Sequence, residues 1–389
     1  VADGRPSILH RPSILHLHSG FDLGGKEARA VRLMNLWGGR ARHSIISADP
    51  DALGAAKAIA PDVECDFPHD LLPPLHGLPE PHRYWRWAQV MRRFDLVLSY
   101  NWGSMDGVMA HRLFSPFMAL PPLIHHEDGF NADEAERLKP KRNHFRRLAL
   151  ARAHALVVPS QRLQGIARAV WRQPEKRLHM IANGIDVDDY ARPPAPDAIP
   201  GFVRSPGKLV VGTLAGLRAV KNLPRLVRAV APHRDRLHLV IVGEGPERGA
   251  ILEQARALGV EDIYLPGFLP DPSHYVGLFD IFALSSDSEQ FPISLVEAMA
   301  AGLPVVSTDV GDVRSMVADA NRDHIVPVGD EAAMADAFAR LLADEGLRAR
   351  IGEENRRKAR ADYREADMVR RYAALYEGAM GRPGALSGS

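Results

Sequence analysis

Short apolar runs alternate with helix-length stretches through both halves of the chain, which restricts the fold to α/β layering with mainly parallel sheets. In the first half the apolar runs are ILHLH (14–18), SIISA, DLVLS, LIHH, ALVVPS and LHMIANG, and a helix is expected from about Glu27 to Trp37. The second half starts afresh with KLVVGTL, a helix at 222–231, LHLVIVG, a helix at 247–258, IYLPGF and IFAL. Helical patterns at 331–343, 346–361 and 365–379 close the chain. The Pro-rich segment ARPPAPDAIPGFVRSPG (191–207) interrupts the alternation and reads as a linker. A length of 389 residues accommodates two domains, each with its own core, expected at 1–190 and 208–364.

Composition removes several classes of function. Lys and Arg number 49 against 48 Asp and Glu, so the overall charge offers no argument for nucleic acid as a partner. Cys65 is the one cysteine, which rules out an internal disulfide and a cysteine-based zinc site and suggests a reducing compartment. No run approaches the ~18 apolar residues of a membrane span. The hexapeptide RPSILH occurs at 5–10 and again at 11–16, and only the second copy leads into a plausible strand. Its prolines and histidines do not make a secretory core.

The stretch IFALSSDSEQFPISLVEAMAAGLPVVSTD (281–309) carries the most chemistry. It reads as a buried strand (281–284), a polar loop, a helix opened by Pro292 as its first residue and stopped by Gly302, and a second strand. A helix N-terminus facing a loop offers unpaired amides and a positive dipole end, which together suit an anion. Two carboxylates bracket the loop. Glu289 lies within it, and Glu297 sits among Ile293, Leu295, Val296, Met299 and Ala300. A carboxylate in Glu297's position can accept both hydrogen bonds of a ribose diol. Spacing alone equally allows a solvent-facing glutamate on an ordinary helix.

The pattern E-x-F-P-x-x-x-x-E-A-M-A-x-G-x-P-V-V resembles the donor-site signature of the retaining glycosyltransferases of the GT-B fold, glycosyltransferase family 4. It is carried by Glu289, Phe291, Pro292, Glu297, Ala298, Met299, Ala300, Gly302, Pro304, Val305 and Val306. The resemblance implies two Rossmann-like domains facing each other across a cleft, with the last helix (365–381) crossing back onto the first. It also implies transfer of a sugar from a nucleotide-diphosphate donor to a sugar or lipid-linked acceptor, with retention of configuration and without cofactor or bound metal. In that family Glu297 holds the ribose, Glu289 the donor-sugar hydroxyls, and Phe291, Pro292, Ile293 and Ser294 line the donor pocket.

Other segments fall in family order. FDLGGKEA (21–28) is by itself a tight turn or a phosphate approach. The family's G-G-x-E motif matches Gly24, Gly25 and Glu27, with the glycine amides near the diphosphate. In VVGTLAGLRAVKN (210–222), Arg218 and Lys221 are two cations expected at a helix start, where they oppose the dipole unless an anion binds. Expulsion of a nucleoside diphosphate makes that charge worth stabilising. Lys221 matches the family lysine. The family arginine commonly lies five residues earlier, at Gly216 here, and Arg218 stands in for it. VIVGEGPER (240–248) is a strand and Gly-Pro turn, and LPGFLP (265–270) matches the stretch bordering the nucleobase, through Gly267 and Phe268. NGIDVDDY (183–190) resembles the segment near the family's hinge.

PPLIHHEDGF (121–130) ends a strand with His125, His126, Glu127 and Asp128. Adjacent strand residues point to opposite faces, so the two histidines do not make a metal pair. The family places a histidine here near the donor sugar. His126 is the first choice, with His125 and Asp128 open as alternatives. RLKPKRNHFRRLALARAH (137–154) holds seven Lys or Arg residues and reads as a solvated helix face or as a dock for an anionic membrane surface. A cytoplasmic location, peripheral on the inner membrane face, suits the second reading. Expected catalytic residues are Glu289, His126, Arg218 and Lys221. A nucleotide-sugar epimerase and a non-catalytic nucleotide-sugar-binding subunit are the alternatives.

Overall fold

The computed structural model describes residues 11–22, 24–68, 73–75, 77, 78, 80–130, 134 and 137–388, so the first RPSILH copy lies outside the described residues. They form two compact units, one reaching Ile181 and resuming at Val369, the other Ala182–Met368.

The first unit is built on seven parallel strands: β1 (Ser13–His18), β2 (Arg42–Ser47), β3 (Glu64–Asp66), β4 (Leu96–Tyr100), β5 (Leu123–His126), β6 (Ala155–Val158) and β7 (Leu178–Met180). Their order is β3-β2-β1-β4-β5-β6-β7. The second unit has six: β8 (Leu209–Leu214), β9 (Leu237–Val242), β10 (Ile263–Gly267), β11 (Ile281–Leu284), β12 (Val305–Thr308) and β13 (Ile325–Val326), in the order β10-β9-β8-β11-β12-β13. Every pairing between neighbours is parallel. Helices cover both faces, so central strands such as β4, β9 and β11 are buried along their whole length. That explains why they read as continuous apolar runs and not as alternating ones. β3 and β13 escape the sequence reading because one is the polar tripeptide ECD and the other only two residues long.

The segment 191–207 is not a free linker, contrary to the expectation. It packs on the second unit, where Ile199 and Phe202 are buried in the core and the Phe202 ring meets Tyr264 edge-on at 5.0 Å. The Ser205 amide donates to His238 Nε2 at 3.0 Å. Its prolines shape a surface path with anchored apolar side chains. The boundary falls instead between Ile181 and Ala182, so NGIDVDDY belongs to the second unit, where Ile185 bridges to Arg364. Residues from Val369 onward, most of the helix Glu365–Met380, belong to the first unit.

The basic segment 137–154 also departs from a uniformly solvated face. Arg146, in the helix Pro140–Ala149, is completely buried. Its guanidinium donates to both carboxylate oxygens of Glu134 at 3.1 and 3.0 Å and lies 3.3 Å from Glu127. Trp102, Phe130 and Trp171 surround it with ring faces. Arginine suits this place because a planar, weakly hydrated cation both stacks and binds bidentately. Among the described residues no helix is long and apolar enough to cross a membrane.

Replacing Arg146 with Ala leaves Glu127 buried without an arginine partner and leaves Glu134 with Arg142 alone, at 3.0 Å. A loss of about 3–5 kcal/mol in urea unfolding is expected, whereas Arg147→Ala, on the exposed face, changes stability by less than about 0.5 kcal/mol.

Candidate functional site

In an open parallel sheet, ligands bind beyond the C-terminal strand ends where the strand order reverses. In the second unit that point lies between β8 and β11, so the loops 215–222 and 285–292 face it. Both loops are fixed by main-chain contacts. The amides of Ala215 and Leu217 donate to the carbonyls of Val242 and Glu244 at 3.0 and 2.8 Å. A side chain at Gly243 would stand 1.9 Å from the Ala215 oxygen, so only glycine lets the loop after β9 approach. The Asp287 amide donates to the Val220 carbonyl at 2.8 Å, and Ser285 Oγ donates to the Lys221 carbonyl at 3.0 Å. Arg225 joins the two loops from beneath, pairing with Asp287 at 2.7 Å and donating to the Ser285 carbonyl at 3.0 Å.

Lys221 ends a single tight turn, Ala219–Lys221. Asn222 then adopts a left-handed conformation and caps the helix Leu223–Val230 through its side chain. The two cations therefore precede the helix and do not occupy its first turn, because the left-handed residue separates them from it. Lys221 Nζ pairs with Glu289 Oε1 at 2.5 Å, and Ser286 Oγ donates to the same oxygen at 2.7 Å. Arg218 is exposed and its side chain has no hydrogen-bond or ionic partner among the described residues. Its Nε lies 3.6 Å from where a side chain on Gly216 would begin. Thus the Arg218 side chain runs beside Gly216.

The helix after β11 spans Ile293–Ala300, with Pro292 as its N-cap and not as its first residue. Pro292 has ψ 109°, an extended value, so the helix starts one residue later than expected. No side chain caps this end. The loop is held from the other side by Gly311 (φ +56°), where a Cβ would lie 2.6 Å from the Glu289 carbonyl. Phe291 packs edge-on against Tyr363 at 5.7 Å. Ile293 and Ser294 are half-buried beside it.

Glu297, one turn into the helix, is half-buried. Burial pushes its carboxyl up to about 7, opposed by a hydrogen bond from the Tyr190 hydroxyl. Burial and the neighbouring Glu297 in turn raise the Tyr190 and Tyr275 phenols above their usual range. Gly267 ends β10 at φ +91° and accepts the Gly243 amide at 2.8 Å, and the Phe268 ring beside it is 65% exposed.

The first unit reverses its order between β1 and β4. Gly24 is the N-cap of the helix Gly25–Trp37, which thus begins two residues before the expected Glu27. The buried Glu27 carboxylate folds back until Oε2 stands 2.9 Å from the Cβ that Gly24 lacks, and it pairs with Lys26. Burial lowers Lys26 to about 8, with Arg29 adding to the effect and Asp128 opposing it. Arg29 and Asp128 form a two-point ion pair, one contact at 2.8 Å. Asn101 links β4 to β5: its amide donates to the His126 carbonyl at 2.8 Å and its side chain accepts the Asp128 amide at 2.7 Å. It does so at φ +55°, a strained value for a side-chain-bearing residue.

Both histidines of β5 are buried, since both sheet faces are covered. His125 Nδ1 meets Ser99 Oγ at 2.9 Å, and its Nε2 lies 3.6 Å from Glu127. His126 bonds the Ser99 carbonyl through Nδ1 at 3.3 Å and the Tyr376 hydroxyl through Nε2 at 2.8 Å. A carbonyl only accepts, so Nδ1 carries the proton and Tyr376 donates to Nε2. Burial first, then Arg29 and His125, keep His126 neutral. Asp128 is the more exposed of the three candidates. No group of three or more His, Cys, Asp or Glu among the described residues is placed to hold a metal ion.

The family models "Glycosyltransferase Family 4" and "Glycosyl transferases group 1" match residues 23–189 and 198–358 and together span most of the chain. The chain belongs to glycosyltransferase family 4. Among curated relatives, N-acetyl-alpha-D-glucosaminyl L-malate synthase of Bacillus anthracis is 28% identical over 52% of this chain and 54% of its own. Phosphatidyl-myo-inositol mannosyltransferase of Mycobacterium leprae is 35% identical over 44% of this chain and 46% of its own. The chain thus spans about half the length of the curated relatives it matches. Among solved structures, the Anabaena Alr3699/HepE protein in complex with UDP aligns at a TM-score of 0.78 and 20% identity, covering 94% of this chain and all of that one. WaaG, a glycosyltransferase involved in lipopolysaccharide biosynthesis, aligns at 0.65 and 17%, covering 97% and 100%. These likenesses establish a GT-B fold.

In this family 4 chain the group 1 match contains Arg218, Lys221, Glu289 and Glu297, and the other contains Gly24, Gly25 and His126. Tyr190, Ser286, Asn101 and Tyr376 were not singled out from sequence. Tyr372 and Tyr376 are four apart on one helix, a same-face signal that points to a shared partner. Nothing local to NGIDVDDY places Tyr190 on Glu297.

A carboxyl raised by burial is cheaper to hold neutral than ionised. Glu297 therefore detracts from stability as pH rises from its unfolded value, about 4.3, towards and beyond 7. Glu297→Gln is expected to raise Tm by a few degrees at pH 8 and to leave it unchanged at pH 4. Carbon-13 NMR of the side-chain carboxyl should titrate near pH 7 in the parent and higher in Tyr190→Phe, which lacks the stabilising donor.

Proposed function

We propose that the chain is a retaining glycosyltransferase that moves a sugar from a nucleotide-diphosphate donor to an acceptor in polysaccharide or glycolipid biosynthesis. The observation that carries this reading is the placement, at one switch point, of the Lys221–Glu289 ion pair, the exposed Arg218 and the half-buried Glu297 beside an uncapped helix end. Arg218 and Lys221 take the diphosphate, and the open amides at Ile293 and Ser294 add partial positive charge. Glu297 accepts the ribose hydroxyls. Lys221 exchanges Glu289 for phosphate oxygens, which frees Glu289 to bind donor-sugar hydroxyls near the reacting carbon. Gly267 and the exposed Phe268 border the base.

In the reaction the bond from the anomeric carbon to the diphosphate breaks, and the acceptor oxygen bonds to that carbon from the same face. The acceptor proton passes to the departing phosphate oxygen, so no protein nucleophile and no cofactor is required. Lys221 and Arg218 stabilise the charge that accumulates on the leaving group. His126 is enclosed by its own partners and contributes by holding the end of β5, with Asp128 and Arg29 beyond it.

The Anabaena neighbour was solved with UDP, which makes UDP and UDP-sugars the first ligands to test. A panel of nucleotide sugars should raise Tm for the specific donor, by about 2.7 kcal/mol of stabilisation at a hundredfold excess over Kd. Glu297→Ala should weaken nucleotide binding about tenfold or more, and Lys221→Ala should reduce kcat by about 10²-fold with a smaller change in Kd. Parent-like transfer kinetics in both variants would remove these residues from the site.

A further inference from the structure

The first unit carries a cationic groove that the transfer chemistry does not use. It lies between the edge strand β7 and the helix Glu365–Met380 and is open to solvent.

 Its volume is 580 Å³. His154, Lys176, Arg177, His179 and Arg371 line it over an apolar floor that includes Leu375, and no carboxylate lines it. In a chain whose charges almost cancel, five basic side chains around one groove are a local concentration.

Two of the cations are held in position. The Arg177 guanidinium donates through Nη1 to the carbonyls of Ala151 and Ala153 at 2.6 and 3.3 Å, and Arg371 donates through Nη2 to the Met180 carbonyl. Each keeps further N–H groups without a protein partner among the described residues, as does the Lys176 ammonium. Neighbouring acids are engaged elsewhere. Glu175 pairs with Arg168 at 2.9 Å, and Glu377 accepts the amides of Gly384, Leu386 and Ser387. The bonds from Arg177 to the chain around Arg152 also make the groove continuous with the exposed end of the basic segment 137–154.

We propose that this groove binds a phosphate ester, with Arg177, Arg371 and Lys176 as its cationic partners and His154 and His179 beside them. Arginine forks match phosphate oxygens, and the apolar floor accepts the carbon portion of an ester. The ester is either a free small molecule or the headgroup of an anionic lipid. His179 is held below its ordinary value by burial, then by His154 and Arg371. An anion bound beside Arg371 offsets that cation's effect, so His179 takes up a proton on binding and affinity rises as pH falls.

The test uses the full chain with two probes: soluble glycerophosphoglycerol, and vesicles of phosphatidylglycerol in phosphatidylcholine against phosphatidylcholine alone. Both are phosphodiesters, so their charge stays constant between pH 8 and 5.5 and any pH dependence belongs to the protein. A side chain at Gly378 meets nothing within 4 Å, so Gly378→Glu adds a negative charge beside the groove without a clash. Expected results are binding that strengthens several-fold from pH 8 to 5.5 and falls at least tenfold in Gly378→Glu and in Arg371→Ala, with Tm and UDP binding unchanged. Binding of the soluble probe assigns free esters, and binding confined to phosphatidylglycerol vesicles assigns the lipid headgroup. No binding of either probe, or equal binding by the parent and Gly378→Glu, overturns the proposal. UDP titration reads the donor site separately, so failure of one reading is distinguishable from failure of the other.

Discussion

Main-chain hydrogen bonds between the loops after β8 and β11 fix where Lys221 and Glu289 stand, and the rest of the second unit's site is arranged around that spacing. The Asp287 amide on the Val220 carbonyl and Ser285 Oγ on the Lys221 carbonyl join the two loops directly. Backbone contacts of this kind carry no side-chain freedom, so the charges they position lose little entropy when they are used. Glycines at 243 and 311 make the arrangement possible, since a Cβ at either would collide with a loop carbonyl. Arg225 adds a cation beneath the loops, already neutralised by Asp287, as Lys221 is by Glu289, and Arg218 is the exposed cation beside them.

The first unit solves a different problem. Its polar interior contains a hydrogen-bonded chain that runs from His43 to His16, Tyr100, Tyr376 and His126. Burial keeps the histidines neutral, so each can donate through one ring nitrogen and accept through the other. Such a chain satisfies most of its buried polar atoms without burying net charge, which is the costly alternative. Arg29 with Asp128, at the strand ends, and Arg146 with its two glutamates, on the flank, are among the places where charge is buried, and in each case a partner is in contact.

Much of the fold was legible because parallel strands buried on both faces are apolar throughout, and helices of eight or more residues separate most of them. The motif at 281–309 was legible for the same reason: strand, loop and helix are contiguous, so their residues meet through local geometry alone. Pro292 misled by one position, because a proline fits an N-cap as well as a first helical turn. The segment 191–207 misled more, since its prolines signal a break in regular structure but say nothing about whether Ile199 and Phe202 find a core. Arg146 looked like one cation among seven, and only its distant partners distinguish it.

What the sequence determined by itself is therefore the α/β class, the family, and the local motifs that place an anion-binding helix end beside two acids. Tertiary structure alone decided which charges are paired, that Tyr190 donates to Glu297, that His126 is enclosed by Tyr376, and that cations from β7 and the last helix share one groove. The reason is range. Hydrophobic period and turn chemistry act over a few residues and are written in order along the chain, whereas a hydrogen bond or ion pair between distant segments depends on where the sheet brings them.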